Sequence, residues 1–224
     1  MQGDVHPQTA SAGSEHYLVL AADIVSSMRL DPADRQALQV DLTDLVLRLN
    51  ERYGERLGTE FVVTAGDSFQ AVIDDPTVVP DVAWDAWSKL RDRVRLGLGF
   101  GQIFTQRDPD SRLMDGPAFH NAVKYQPRER ISFRGFGELQ DAILNGLGGL
   151  LRQAFMDFTD RQREILALLR SGHTQQDAAR LLGVTSQSVS HTAAAAGWTS
   201  YRQGERALGE ALRLFVARRG SDCR

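Results

Sequence analysis

Only one cysteine stands in the chain, Cys223, so an internal disulfide and a cysteine-rich zinc site are both excluded. No apolar run approaches the roughly 18 residues that a membrane-crossing helix needs, and no membrane partner is expected. Met1 to Ser14 has neither the basic start nor the apolar stretch of a signal peptide. Residues 1–15 therefore read as a disordered lead-in, and the protein as cytoplasmic. A strong charge of one sign is also missing, since the formal net charge is −3. What is there is 42% apolar and 25% charged, the balance of an ordinary globular protein, over 224 residues, enough for one to two domains.

The charge is uneven along the chain. Residues 1–157 carry 16 Lys/Arg against 23 Asp/Glu, whereas residues 158–224 carry 10 against 6. Attraction to phosphate acts within a Debye length of about 10 Å, so the sign of the local surface matters more than the total.

Tyr17 to Ile24 (YLVLAADI) is a compact apolar run that predicts a buried strand. Asp31 suits a helix N-cap and Pro32 a first helical position, and Leu38, Leu42, Leu45, Val46 and Leu49 keep helical spacing up to Tyr53. Phe61 to Thr64 and Phe69 to Ile73 read as a hairpin around Gly66 and Asp67. Pro80 to Val94 predicts a second helix, with Trp84 and Trp87 in the core. Leu96 to Phe104 (LGLGFGQIF) predicts a strand whose glycines let another backbone come close, and Gly116 to Tyr125 a third helix. The order strand, helix, strand, strand, helix, strand is that of a ferredoxin-like α+β domain, placed at residues 16–126.

This order brings chemistry together. Asp23 ends the first strand and Asp67 sits in the hairpin turn, so two carboxylates and the carbonyl of Ile24 can converge as a hard-oxygen site. Mg²⁺ uses such sites when it carries the phosphates of a nucleotide. Ser26 and Ser27 follow, small residues leading towards a helix N-terminus suited to phosphate. Spacing alone leaves open that Asp67 is a turn aspartate and that Asp23 is a cap. His120, beside Phe119 and Ala122, reads as a packed, hydrogen-bonded histidine.

The Asp23-Ile24-Val25 segment, followed by Gly66-Asp67, resembles the two metal-binding segments of class III nucleotidyl cyclases, and LGLGFGQIF resembles a glycine-bearing strand of the same fold. The whole chain is more similar to the SatD family, through ADIVSS, Leu49 to Gly54, VTAGDSFQ, DGPAFHNA and a C-terminal helical motif. The resemblance implies a cyclase-like domain joined to a DNA-binding one, with Asp23, Ile24 and Asp67 on Mg²⁺, and Ser26, Ser27 and Lys124 on a nucleotide of unspecified kind. The departures count against turnover. Where cyclases read the purine, this chain has Val63 and Leu113, whose side chains form no hydrogen bonds. Where cyclases stabilise the transition state with asparagine and arginine, it has His120 and Lys124.

Gln126 to Glu138 is polar, basic and broken by Pro127, Gly135 and Gly137, and residues 127–138 read as a linker. Leu139 to Phe155 predicts a helix despite three glycines. Thr159 with Gln162 is a capping-box start, Thr174 opens a second short helix through Leu182, Gly183 suits a left-handed C-cap, and Thr185 caps a third helix, Ser186 to Ala196. Residues 139–219 thus read as an all-α helix-turn-helix domain, similar to sigma-factor region 4 and LuxR-type regulators. Thr185, Ser186, Gln187, Ser188, Ser190 and His191 are expected at base edges and phosphates of double-stranded DNA. Arg161, Arg163, Gln175 and Arg180 are expected to contact the backbone. A three-helix unit used for protein contact is the plainer alternative. Ser200 to Ala217 predicts a last helix that closes the domain or pairs with a second subunit, and a homodimer is expected. The expectation is a DNA-binding transcriptional regulator with a degenerate cyclase-like domain that senses a nucleotide or metal. The alternative is a metal-dependent enzyme on nucleoside triphosphates, with the helical motif as adaptor.

Overall fold

The computed structural model describes residues 15–25, 31–64, 66–124 and 129–221. Its centre is β1 (His16–Ile24), with β3 (Ser68–Ile73) antiparallel on one side and β4 (Val94–Gln102) antiparallel on the other. β2 (Val62–Val63) adds to β3, giving the order β2-β3-β1-β4-β5. From Leu18 to Ala22 β1 is apolar because both of its faces are covered. Leu18, Leu20, Ala22 and Ile24 enter the main core, while Val19 and Ala21 enter a smaller one, the two-residue period of a pleated strand.

The main face carries α1 (Pro32–Tyr53) and α2 (Val79–Leu90). Asp31 caps α1, its Oδ1 accepting from the Asp34 N–H at 2.8 Å, with Pro32 in the first turn. Leu38, Leu42, Leu45 and Leu49 are buried at the expected spacing, and so are Trp84 and Trp87 of α2. α2 ends at Leu90, earlier than its periodicity suggested, because Arg91 adopts a φ of 56°. The opposite face carries α3 (Pro117–Ala122), whose backbone lies directly on β4. A Cβ at Gly99 would stand 2.0 Å from the Ala118 carbonyl oxygen and one at Gly101 2.9 Å from the Ala118 nitrogen, so these two glycines are required by close approach, as the sequence suggested.

The stretch expected as a linker behaves otherwise. Ile131–Arg134 forms β5, parallel to β4 with Leu96 opposite Ile131 and Leu98 opposite Phe133. Ile131, Ser132, Phe133 and Phe136 are buried. The arginines and glycines around this short run hid it, and a four-residue strand gains its stability from its neighbours rather than from its own pattern.

α4 (Glu138–Asp157) lies on β5 and sends Leu144, Leu151 and Phe155 into the main core. It is followed by α5 (Asp160–Arg170), α6 (Gln175–Leu182), α7 (Ser186–Ala195) and α8 (Trp198–Ser221). α5, α6 and α7 enclose a small core of Ile165, Ala178, Ala179 and Val189. α8 returns to the sheet domain, packing on α4 and on the turn Pro76–Val78, with Leu208 and Leu212 buried in the main core. Gly209 allows this approach, since a Cβ there would stand 3.3 Å from the Thr77 Cα. Of the two roles open to this helix, closing the structure is thus the one its apolar stripe serves. Among the described residues no helix is long and apolar enough to cross a membrane.

One buried charge cluster ties the two parts. Arg170 of α5 donates to both carboxylate oxygens of Glu205 on α8 at 2.7 Å and to Asp81 of α2. Its guanidinium lies 4.7 Å from the centre of the Trp84 ring. Trp84 also meets Phe155 at 4.9 Å, and Trp198 and Tyr201 each at 5.7 Å. Burial works against the Arg170 charge, but Glu205 and Asp81 outweigh it and hold the group protonated above its ordinary range. Replacing Arg170 by methionine leaves Glu205 buried with only Arg202 beside it. Arg170→Met should therefore lose about 3 kcal/mol in urea unfolding, and adding Glu205→Met should restore much of the loss. An additive double variant would contradict the coupling.

Candidate functional site

The exposed part of the helical unit is built from the caps outward. Thr174 opens α6, its Oγ1 accepting from the Asp177 N–H at 3.1 Å while Asp177 accepts from the Thr174 N–H at 3.3 Å. α6 ends at Gly183, whose φ of 64° is the left-handed conformation that glycine adopts freely. The Val184 N–H then donates to the Ala179 carbonyl at 3.0 Å. Thr185 caps α7, accepting from the Ser188 N–H at 3.1 Å and donating to the Ser188 hydroxyl at 3.0 Å. The turn between α6 and α7 is thus held by three local devices.

Within α7, Val189 and Ala193 are buried and hold the helix against its neighbours. Thr185, Gln187, Ser188, Ser190 and His191 are exposed and Ser186 is half-buried. The face expected to carry recognition is therefore open to solvent. It carries no arginine or lysine. Gln175 is exposed at the start of α6. The Arg180 side chain is 78% exposed and pairs with Asp177 on its own helix. Arg161 is exposed and pairs with Glu164 at 2.6 Å. Arg163 differs from the other two. Its side chain is only 20% exposed, held by Asp160 at 2.9 Å and reaching the Phe155 carbonyl at 3.5 Å. It joins α5 to the end of α4 instead of offering a free cation.

The acidic residues at the strand ends do meet as neighbours. Asp23 pairs in register with Ser68 on one side and Arg95 on the other, and the Ile24 N–H donates to the Asp67 carbonyl at 2.9 Å. Gly66, with a φ of 81°, makes the turn. The sequence did not single out Arg95, yet Arg95 Nη2 donates to Asp23 Oδ2 at 2.7 Å. A signal for it existed. Arg95 is the one charged residue of β4, on the strand period of Gly97, Gly99 and Gly101, and a charge on a covered sheet face needs a partner. The pair is partly buried, the side chains being 25% and 31% exposed.

Two carboxylates suit Mg²⁺ by donor type, but the set does not fit a divalent cation as it stands. One Asp23 oxygen is committed to a guanidinium, and that positive charge opposes a second cation beside it. Among the described residues no three His, Cys, Asp or Glu side chains gather into a metal-holding group. Ser26 and Ser27, expected at phosphate, lie outside the described residues. Lys124 is exposed and its carbonyl accepts from Arg134 Nε at 2.7 Å. His120 is not packed, contrary to its sequence context. Phe119 and Ala122 fill the core, and the ring points outward to Asp115 at 3.0 Å. Val63 is half-buried in β2 and Leu113 is exposed.

The SatD family model matches residues 17–133, from the start of β1 into β5, and stops before α4. Among solved structures the chain is similar to a bacterial light-regulated adenylyl cyclase. The two are 17% identical, and the likeness covers 53% of this chain and 75% of that one with a TM-score of 0.41. That is too distant to argue from. No curated protein matches the chain.

The Asp23–Arg95 pair makes a checkable statement. Asp23→Asn should lower stability by about 1 kcal/mol, the scale of a partly exposed pair. Millimolar Mg²⁺ or Mn²⁺ should leave the thermal midpoint of the unaltered protein where it is. A clear rise with either ion, lost in Asp23→Asn, would show that Arg95 yields the carboxylate to a metal.

Proposed function

This chain belongs to the SatD family, and from that premise we propose that it is a DNA-binding regulator whose sheet domain has no catalytic turnover. The observation that carries the reading is the open polar face of α7 on a fixed apolar footing. Gln187, Ser190 and His191 are exposed, whereas Val189 and Ala193 are buried. α6, the left-handed Gly183 and α7 have the grammar of a helix-turn-helix, in which the second helix enters the major groove.

The chemistry of that face suits base edges better than phosphate. The Gln187 amide has a donor and an acceptor that match adenine bidentately, and the serine and threonine hydroxyls serve either partner. Ser188 and Thr185 already bond to each other as the cap, which leaves Gln187, Ser190 and His191 as the residues with free hydrogen-bonding capacity for sequence. Arg180 and Arg161, exposed on α6 and α5, supply phosphate attraction, and Gln175 adds a neutral contact. With no cation on α7 itself and two arginines for phosphate, affinity per chain is modest and its salt dependence shallow, because few counterions are released.

The sheet domain supports the same reading. We take its order β2-β3-β1-β4, with α1 and α2 sharing one face, as a ferredoxin-like, cyclase-related arrangement extended by β5. Val63, Leu113, His120 and Lys124 lack the groups that a cyclase uses for purine and transition state, and Asp23 is occupied by Arg95. The domain then acts as the rigid seat of the helical unit.

Fluorescence anisotropy with random duplex DNA at about 50 mM salt should show binding that weakens about tenfold by 200 mM, as expected for about two phosphate contacts. Selection from a random pool should then yield a preferred sequence. On that sequence Gln187→Ala should lose about 5- to 100-fold, against little change on random DNA. Arg180→Ala should weaken both alike and reduce the salt slope by about one. No binding to any duplex in dilute salt would overturn the proposal.

A further inference from the structure

α4 has a second face that no other described residue covers. Leu144, Gly148, Leu151 and Phe155 point into the core. On the opposite side Leu139, Ala142, Ile143, Gly146, Gly149, Leu150 and Gln153 are all exposed. Leu139, Ile143 and Leu150 are 68%, 46% and 71% exposed, among the larger apolar exposures of the molecule. These residues recur at three- and four-residue spacing, so they form one stripe about 21 Å long. The two charged residues of α4 between its ends lie off the stripe and are engaged elsewhere. Asp141 accepts from the Gly135 and Phe136 N–H groups, and Arg152 pairs with Asp92.

The glycines add an independent observation. In a helix interior glycine is the least favourable residue after proline, so each asks for a reason. Gly148 has one, since a Cβ there would stand 2.6 Å from the Phe133 ring. Gly146 and Gly149 have none among the described residues, for a Cβ at either would meet nothing within 4 Å. Small residues on an outward face serve the close approach of something from outside.

We propose that this face pairs with the same face of a second copy of the chain, as an antiparallel helix pair crossing at Gly146. A twofold axis there sets residues opposite each other by size. Leu150 meets Ala142, Ile143 meets Gly149, Leu139 meets Gln153, and Gly146 meets its own copy. Leu150 and Ile143 thus each fall on a small residue, and Leu139 meets the long Gln153 side chain only at the two ends of the pair, a self-complementary arrangement of the kind an isologous interface requires. With no charge on the stripe, no like charges are brought together. A face of this length on a helix about 10–12 Å across hides on the order of 400 Å² per copy. The total, about 800 Å², falls below the roughly 1,200 Å² of stable specific interfaces and suits only a weak, reversible dimer.

The inference does not rest on DNA binding, and its test uses none. Sedimentation of the full chain from about 1 to 200 µM should show a monomer passing to a dimer, with a midpoint in the tens of micromolar. Leu150→Arg should abolish the dimer. Gly146→Leu should abolish it too while keeping or raising the thermal midpoint, because the position is open and leucine favours the helix. That combination separates an interface from a folding defect. A chain that stays monomeric throughout overturns the proposal, as does a dimer that survives both substitutions. A monomer that cosediments with lipid vesicles, and ceases to do so as Leu150→Arg, would assign the face to a membrane surface and overturn it equally.

Discussion

The seating of the helical unit on the sheet depends on Arg170. Its guanidinium is 4% exposed, reaches Asp81 and Glu205 on two other helices, and lies over Trp84. Such a cluster adds little net stability over apolar residues of the same volume, because every charge in it must leave water. What it imposes is position. Any other placement of α5 against α2 and α8 strands a buried charge, so one arrangement is selected among the many that an aromatic cluster of Trp84, Phe155, Phe158, Trp198 and Tyr201 would accept. α7 inherits that position through α5 and through the small core at Val189.

The sheet is constrained in a similar way at its centre. β1 is buried on both faces, and α3 reaches β4 only because Gly99 and Gly101 have no side chains. The same strand carries Arg95 to Asp23. Asp23, a carboxylate of the type that can ligate a cation, here neutralises Arg95 at a covered strand end. The difference between a cation site and an ion pair is one side chain on a neighbouring strand.

α7 and the outward face of α4 are both exposed, and they differ in chemistry. α7 presents amide, hydroxyl and imidazole groups, which suit a hydrogen-bonding partner with edges to read. α4 presents leucine, isoleucine and glycine, which suit a dry, close-packed one. In the proposed reading the first meets bases and the second another copy, so that two chains bring two α7 helices to one duplex.

Local features were legible in the amino-acid order. The helix starts at Asp31, Thr159, Thr174 and Thr185 and the left-handed turn at Gly183 follow from bonds within a few residues. The buried run of β1 and the glycines of β4 were readable from periodicity alone. That the hairpin turn lies beside the end of β1 was readable from strand order. What only the tertiary structure decided were pairings between distant residues. Arg95 lies opposite Asp23 across 72 positions and Arg170 opposite Asp81 across 89. β5 exists because β4 and α4 flank it, Arg163 turns inward and His120 turns outward. The reason is physical: caps and periodicity are fixed by bonds that span a turn or two, whereas the partner of a charge or of a short strand depends on which surfaces the finished packing brings together.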